Sequence, residues 1–198
     1  SAGLNLFLDQ FHYRYGEKDW GDPAYPVTLV PQLRGTDPDV SGALTIASRA
    51  GSDIAPLDVR NENDRLRLRS YIWADQSERL ARLDAALAVA QRGVFALEKA
   101  DAANFVSRRL AARKAGQCFV LFHSVVWQYL PDVTRQAIEN AMQNAGAQAT
   151  PDAPLAWLRM ETLTSTDPYP VLRLTIWPGG ETRRLALADF DGRWMEWV

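Results

Sequence analysis

The sequence predicts an α/β sandwich with a mostly parallel sheet that ends in an antiparallel hairpin. Helical and strand-like patterns alternate along the 198 residues, and this alternation is typical of parallel sheets. An unbroken apolar run that ends at His123 and Ser124 predicts a strand buried on both faces. Two alternating runs flank the turn at 178–180 and predict the hairpin. With 47% hydrophobic residues, the chain can build the core of one domain, 1–198.

The first half of the chain combines helices with a long irregular region. Helical spacing of apolar residues predicts an amphipathic helix over 4–15. Frequent Gly and Pro indicate a loop-rich insertion over 16–43. A strand is predicted at 43–47, followed by a turn-rich segment that carries Asp53, and 64–91 reads as a short helix, a turn and a longer helix.

The second half continues the alternation. A strand at 93–98 is followed by a helix over 106–115, and the apolar strand that begins at Phe119 comes next. A helix starts at 131–132 and a further strand covers 154–161, before the hairpin and two terminal tryptophans. This order places the strand that ends at His123 in the centre of the predicted sheet.

Composition narrows the classes of partner. The chain has 22 basic and 24 acidic residues, whereas nonspecific nucleic-acid surfaces are usually strongly basic, so no nucleic-acid partner is expected. No apolar run approaches the roughly 20 residues that span a bilayer, so no membrane partner is expected.

A single cysteine fits a reducing compartment and predicts a cytoplasmic protein. Two histidines and one cysteine lack a recognised metal-ligand spacing, so no metal site is predicted. The oligomeric state stays open.

Two residues at strand ends are candidates for acid–base chemistry. His123 ends its strand where open α/β sheets bind ligands. A histidine there can act as a general base, or it can be a hydrogen-bonded structural residue. Glu161 ends its strand at the same predicted edge, so we add the hypothesis that an acid–histidine pair can form across neighbouring strands. Ser124 and Trp127 follow His123 and are candidates for lining a substrate site, although aromatic residues after such a strand also pack in cores.

The order of elements and four short segments resemble class I S-adenosylmethionine-dependent methyltransferases. Ser1-Ala2-Gly3 matches the tail of the family's glycine-rich turn, and Asp53 stands at the position of the acid that binds the ribose. Ala100-Asp101-Ala102 resembles the adenine-side motif, and 122–127 stands where the fourth strand faces the substrate. From the residues alone, Asp53 can equally be a turn or cap residue, and Asp101 can equally cap the following helix.

This resemblance implies a fold, a cofactor and a set of roles. The fold would be a Rossmann-like three-layer sandwich, and the cofactor S-adenosylmethionine. The activity would be methyl transfer to a small molecule or a protein. The implied cofactor-binding residues are Ser1, Ala2, Gly3, Asp53, Asp101 and Ala102, the catalytic residues His123 and Glu161, and the substrate-binding residues Ser124 and Trp127.

The chain also resembles, more specifically, a family of uncharacterised bacterial proteins known as a domain of unknown function. The matching segments include 1–6, 51–59, 73–80, 123–130 and 188–194. In that family a strand precedes the Ser-Ala-Gly segment, so the predicted sheet lacks its first strand here and we expect a fragment of a longer chain. The alternative function is a catalytically inactive module that binds a small molecule or a protein partner.

Overall fold

The computed structural model describes residues 2–164 and 166–198. These residues form two compact units, which are described separately. The first contains the chain up to Val30 together with Asp39–Asp101, and the second contains Pro31–Pro38 together with Ala102–Val198. The prediction that 1–198 form a single domain stays a prediction.

Eleven strands, four α-helices and two 3₁₀ helices make up the described part of the chain. The 3₁₀ helices are Leu4–Gln10 and Trp127–Tyr129, and the α-helices are α1 (Glu62–Ser70), α2 (Ser77–Arg92), α3 (Ala102–Ala111) and α4 (Asp132–Ala147). The strands are β1 (His12–Tyr15), β2 (Lys18–Trp20), β3 (Thr28–Leu29), β4 (Gln32–Gly35), β5 (Ala50–Asp53), β6 (Ala96–Lys99), β7 (Phe119–Ser124), β8 (Leu155–Glu161), β9 (Val171–Trp177), β10 (Glu181–Ala188) and β11 (Trp194–Trp197).

The main sheet is mixed and largely antiparallel, so the predicted Rossmann-like sandwich with a mostly parallel sheet is wrong. Its six strands lie in the order β4-β11-β10-β9-β8-β7. The three inner pairs are antiparallel, and only the outer pairs, β7 with β8 and β11 with β4, are parallel. Short connections force successive strands to be antiparallel neighbours, and the predicted hairpin, β9 and β10, therefore occupies the middle of this sheet. A parallel pair, β5 with β6, and a small sheet β2-β1-β3 lie in the first unit.

The apolar strand β7 lies at the edge of the main sheet, contrary to the prediction that it is central. Among the described residues it pairs only with β8, and Val120 is 50% exposed. A short apolar run does not by itself tell a doubly buried strand from an edge strand. The prediction that β8 runs parallel to β7 as its neighbour is confirmed.

Two local predictions in the first unit are wrong. The segment 4–15 is a 3₁₀ helix followed by β1, because the second half of the segment hydrogen-bonds to neighbouring strands and to the residue before β3, for example from the His12 N–H to the Val27 carbonyl oxygen at 2.8 Å. The region 16–43 is mostly loop, as predicted, and it contains three short strands, β2, β3 and β4. No strand forms at 43–47; it forms at β5, because β5 finds a parallel partner in β6.

The core of the first unit holds the 3₁₀ helix against α2. Phe7 is 1% exposed and Ala90 is completely buried. Gly93 lies so close to Phe7 that a Cβ there would be 2.0 Å from the ring. Arg49 reaches back to the 3₁₀ helix, where its guanidinium binds the Asp9 carboxylate at 2.7 and 2.9 Å. These contacts connect the segment before β5 to the amino-terminal turn.

In the second unit, α4 packs on one face of the main sheet. Its side chains Ile138 and Met142 are 3% and 0% exposed. A Cβ at Gly146 would lie 2.5 Å from the indole nitrogen of Trp177 on β9, so only glycine permits this approach. No helix in the described part of the chain is long and apolar enough to cross a membrane.

Candidate functional site

Two acidic residues lie at the carboxyl ends of the parallel strands β5 and β6: Asp53 is the last residue of β5, and Asp101 follows β6. In this pair Asp53 lies opposite Lys99, and the N–H of Ala100 donates to the Asp53 carbonyl oxygen at 3.2 Å. Asp101 comes next along the chain. Parallel register therefore places Asp53 and Asp101 at the same edge of this strand pair in the first unit. Asp53 is half-buried and accepts a hydrogen bond from the Ala55 N–H at 2.8 Å, whereas Asp101 is exposed.

The amino-terminal turn lies beside the same strand pair. Gly3 is buried with φ +66°, a left-handed conformation that favours glycine. A Cβ at this position would lie 3.0 Å from the Phe95 ring and 3.2 Å from Leu6, and Leu6 in turn approaches Gly51 of β5. The turn is thus packed tightly against the start of β6 and the middle of β5. Ala2 is 5% exposed and packs in the core.

Two further cofactor-binding residues were predicted, Ser1 and Ala102. Ser1 lies outside the described residues. Ala102 is the first residue of α3, and it belongs to the second unit.

The predicted acid–histidine pair is present in the second unit. The His123 Nδ1 and Glu161 Oε1 atoms are 2.7 Å apart, and the Glu161 side chain is 4% exposed. The carboxylate also accepts the N–H groups of Val126 at 3.1 Å and Trp127 at 3.2 Å. Three donors therefore converge on one buried carboxylate, which satisfies its charge within the protein.

The other ring nitrogen of His123 is occupied as well. The indole N–H of Trp157, which can only donate, lies 3.0 Å from His123 Nε2. His123 Nε2 must therefore accept, and the ring proton lies on Nδ1, where it is donated to Glu161. The Trp127 ring stacks on the imidazole with 5.1 Å between ring centroids. Both nitrogens are thus committed to structural hydrogen bonds, and the arrangement is a closed network.

A strained residue turns the chain around this network. Val125 has φ +50°, which is a genuine outlier for a β-branched residue. Its own N–H donates to the Met160 carbonyl oxygen at 3.0 Å and extends the β7–β8 ladder by one bond. The next two N–H groups are those that donate to Glu161. The left-handed turn therefore points two backbone donors at the buried carboxylate.

The two predicted substrate residues lie on different sides of this turn. Trp127 stacks on the His123 imidazole and is half-buried. Ser124 is exposed, and its position next to His123 in the strand puts it on the opposite face of the sheet. Only Trp127 lies on the face of His123, so Ser124 and Trp127 do not line one substrate surface.

Sequence reasoning missed Trp157, although a signal for it exists. Trp157, Arg159 and Glu161 are spaced by two along β8 and so share one face of the sheet. That spacing already places an indole N–H on the face of the predicted acid. Within 2–164 and 166–198, no three His, Cys, Asp or Glu side chains are grouped so that they could hold a metal ion.

Comparison with known proteins identifies a family for this chain. A family model described as "Uncharacterized protein conserved in bacteria (DUF2332)" matches residues 1–197. Neither the curated proteins nor the solved structures include a significant match. Since the family model covers nearly the whole sequence, the chain belongs to this bacterial family.

Proposed function

We propose that this member of the bacterial family binds S-adenosylmethionine at the carboxyl ends of β5 and β6 and is a methyltransferase for a small molecule or a protein. The observation that carries the proposal is the parallel register that puts Asp53 and Asp101 at one edge, beside the buried turn at Gly3. Binding at this edge requires only the local arrangement of β5, β6 and the turn, and it does not require a Rossmann-like sheet.

The residues at this edge fit a nucleoside cofactor. A half-buried carboxylate at a strand end can accept hydrogen bonds from both ribose hydroxyls, and Asp53 has this position. Asp101 would accept from the adenine amino group. Gly3 permits the left-handed turn that packs against Phe95 and Leu6, and this packing fixes the turn beside β5 and β6. When bound, S-adenosylmethionine supplies an electrophilic methyl group.

The role of the chain in methyl transfer would be to orient the two reactants. Positioning of this kind can provide a large part of a rate enhancement without a general base. This matters because the nitrogen lone pair of His123 is already bound by Trp157. The proposal therefore assigns no proton transfer to His123 or Glu161, which act as positioning residues for the turn at Val125.

Binding can be tested by calorimetric titration of S-adenosylmethionine and S-adenosylhomocysteine into the protein. Hydrogen bonds to a charged group contribute about 1.5–3 kcal/mol, so Asp53→Asn should weaken binding roughly 10- to 100-fold. The matched control is Asp75→Asn, which removes one exposed carboxylate from the turn before α2 in the same unit. Absence of binding by the folded protein, or equal affinities of the two variants, contradicts the proposal.

The second candidate function is ligand binding without catalysis. The observation that favours it is the closed His123 network, in which both predicted catalytic residues are already hydrogen-bonded inside the protein. Tritiated S-adenosylmethionine incubated with the protein and a bacterial extract separates the two. Enzyme-dependent transfer of label supports the methyltransferase, whereas tight binding with no transfer favours the binding module.

A further inference from the structure

Three arginines lie side by side on one face of the main sheet, in the second unit. Arg159 of β8 lies opposite Arg173 of β9, and Arg173 lies opposite Arg184 of β10. Residues directly opposite on antiparallel strands point to the same face, with Cβ atoms about 4.5–5.5 Å apart. We name Arg159, Arg173 and Arg184 the arginine row.

The arginine row has unsatisfied donors as well as excess charge. Like charges directly opposite on neighbouring strands destabilise a sheet. Among the described residues, no carboxylate forms an ion pair with any of the three arginines. The Nε atoms of Arg159 and Arg173 are both buried and have no hydrogen-bond acceptor. A buried donor without an acceptor destabilises a protein by more than a typical hydrogen bond stabilises it. The described chain supplies no acceptor for these two donors and no counterion in contact with the row, so a bound anion would lower the free energy of this arrangement.

The inner end of the row is held in a defined orientation. The Arg159 guanidinium lies 4.2 Å from the centre of the Trp157 ring and donates to the Thr175 hydroxyl at 2.8 Å. The Thr175 and Thr182 hydroxyl oxygens are 2.7 Å apart. Thr175 is 3% exposed, whereas Thr182 and Arg184 are exposed. The row therefore runs from a buried, oriented end on β8 to an open end on β10.

The charges near the row indicate which ligand would balance it. Burial and the charge of Arg173 lower the pKa of Arg159 to about 10, and Glu139 on α4 opposes this shift. Three guanidinium groups and one carboxylate leave two positive charges without a counterion. A phosphate group carries a charge of about −1.5 to −2 and three acceptor oxygens, whereas a carboxylate carries one charge and two oxygens.

We propose that the arginine row, with the hydroxyls of Thr175 and Thr182 beside it, binds the phosphate group of a small phosphorylated molecule or free phosphate. Planar guanidinium groups match phosphate oxygens in pairs, which a row of lysines would not do. The phosphate oxygens would accept from guanidinium N–H groups at the open end of the row, where Arg184 is exposed, and the negative charge would offset the opposed guanidinium charges. This site lies in the second unit and is independent of the cofactor edge of β5 and β6.

Calorimetric titration with inorganic phosphate and with glycerol 3-phosphate, and with acetate for comparison, tests the site. Arg184→Gln should weaken phosphate binding at least tenfold. Arg183→Gln is the matched control, because Arg183 is the neighbouring residue on β10 but lies opposite Leu174 on the other face and contacts Glu181 at 3.3 Å. It removes the same charge and should change the affinity less than twofold. Tighter binding of either phosphate compound than of acetate supports the site. The compound that binds more tightly of the two shows whether the site takes free phosphate or a phosphorylated molecule.

Thermal stability separates a binding role of the row from a structural one. A ligand that binds only the folded state raises Tm. Arg173→Gln removes a like-charged neighbour, so without phosphate its Tm should equal or exceed that of the parent, and its phosphate-dependent rise in Tm should be lost. If the Tm of Arg173→Gln is lower than that of the unsubstituted protein by the same amount with and without phosphate, the role of Arg173 is structural and the proposal is overturned. Equal affinity for acetate, equal losses in both β10 variants, or no binding of phosphate by the folded protein would overturn it too.

Discussion

Within the described residues, the parallel pairs β7–β8 and β5–β6 both carry acidic residues at their carboxyl ends, and the two ends differ in how those acids are satisfied. After β8, Glu161 is buried and accepts three N–H groups from its own unit. After β5 and β6, Asp53 is half-buried with an N–H of the next turn as a donor, and Asp101 is exposed. One end is a closed hydrogen-bond network around a buried acid, and the acids at the other end are more exposed.

A strand-end position therefore locates a candidate residue but does not decide its role. An acid surrounded by donors stabilises the fold and holds a turn in place, as Glu161 does at Val125. An acid with remaining exposed oxygen surface can bind a ligand. Variants of the two ends should therefore divide between stability and binding.

The largest effect on stability is expected at Glu161. Glu161→Ala removes the acceptor of three part-buried donors and should lower the free energy of unfolding by about 3 kcal/mol, since each donor left unsatisfied costs about 1–3 kcal/mol when buried and less when water reaches it. Urea unfolding followed by tryptophan fluorescence measures the change. The control is Glu181→Ala, whose side chain is 77% exposed and which should cost under about 0.5 kcal/mol. Similar losses in both variants would show that the network contributes little.

An intermediate effect is expected at the strained turn after β7. A left-handed conformation costs an L-residue about 1–2 kcal/mol, whereas glycine in an ordinary conformation costs about 1 kcal/mol in chain entropy. Val125→Gly, at φ +50°, should therefore be neutral or stabilising. Val126→Gly, at φ −119°, should destabilise. Urea unfolding of the two variants should differ by about 1–2 kcal/mol, and the reverse order would mean that the Val125 side chain matters more than its backbone conformation.

The smallest effect on stability is expected at Asp53. Asp53→Asn keeps an oxygen that can accept from the Ala55 N–H, so the free energy of unfolding should change by under about 0.5 kcal/mol. The same variant should lose most of its affinity for S-adenosylmethionine. A loss of stability as large as that of Glu161→Ala would remove the contrast between the two strand ends and make Asp53 a structural residue.

Local pattern predicted several elements of this fold correctly. The break near Trp73 separates α1 from α2, and the turn at 178–180 joins β9 to β10, as expected. The contact between His123 and Glu161 was also predicted, because two strands that run in parallel bring their carboxyl ends to one edge. These predictions depended on residues that are close in sequence or on a single strand pairing.

The strand order was not predictable in the same way. Whether β7 is central or at an edge depends on which strands pair with it, and its apolar residues are compatible with both. The second half of the predicted first helix is a strand because its hydrogen-bond partners are β2 and β3, a choice that tertiary pairing makes against local periodicity. Likewise, the donor from Trp157 that occupies His123 comes from a residue 34 positions away.

Helical and strand periods and turn residues act over a few neighbouring positions, so the amino-acid sequence was sufficient to predict the helices α1, α2 and α4 and the hairpin. Family membership rests on the match of the family model to residues 1–197. The largely antiparallel sheet, the closed network around Glu161 and the arginine row across β8, β9 and β10 depend on tertiary pairing, because strand hydrogen bonds and cross-strand contacts join residues far apart in the chain. Their partners are selected by the packing of the whole unit.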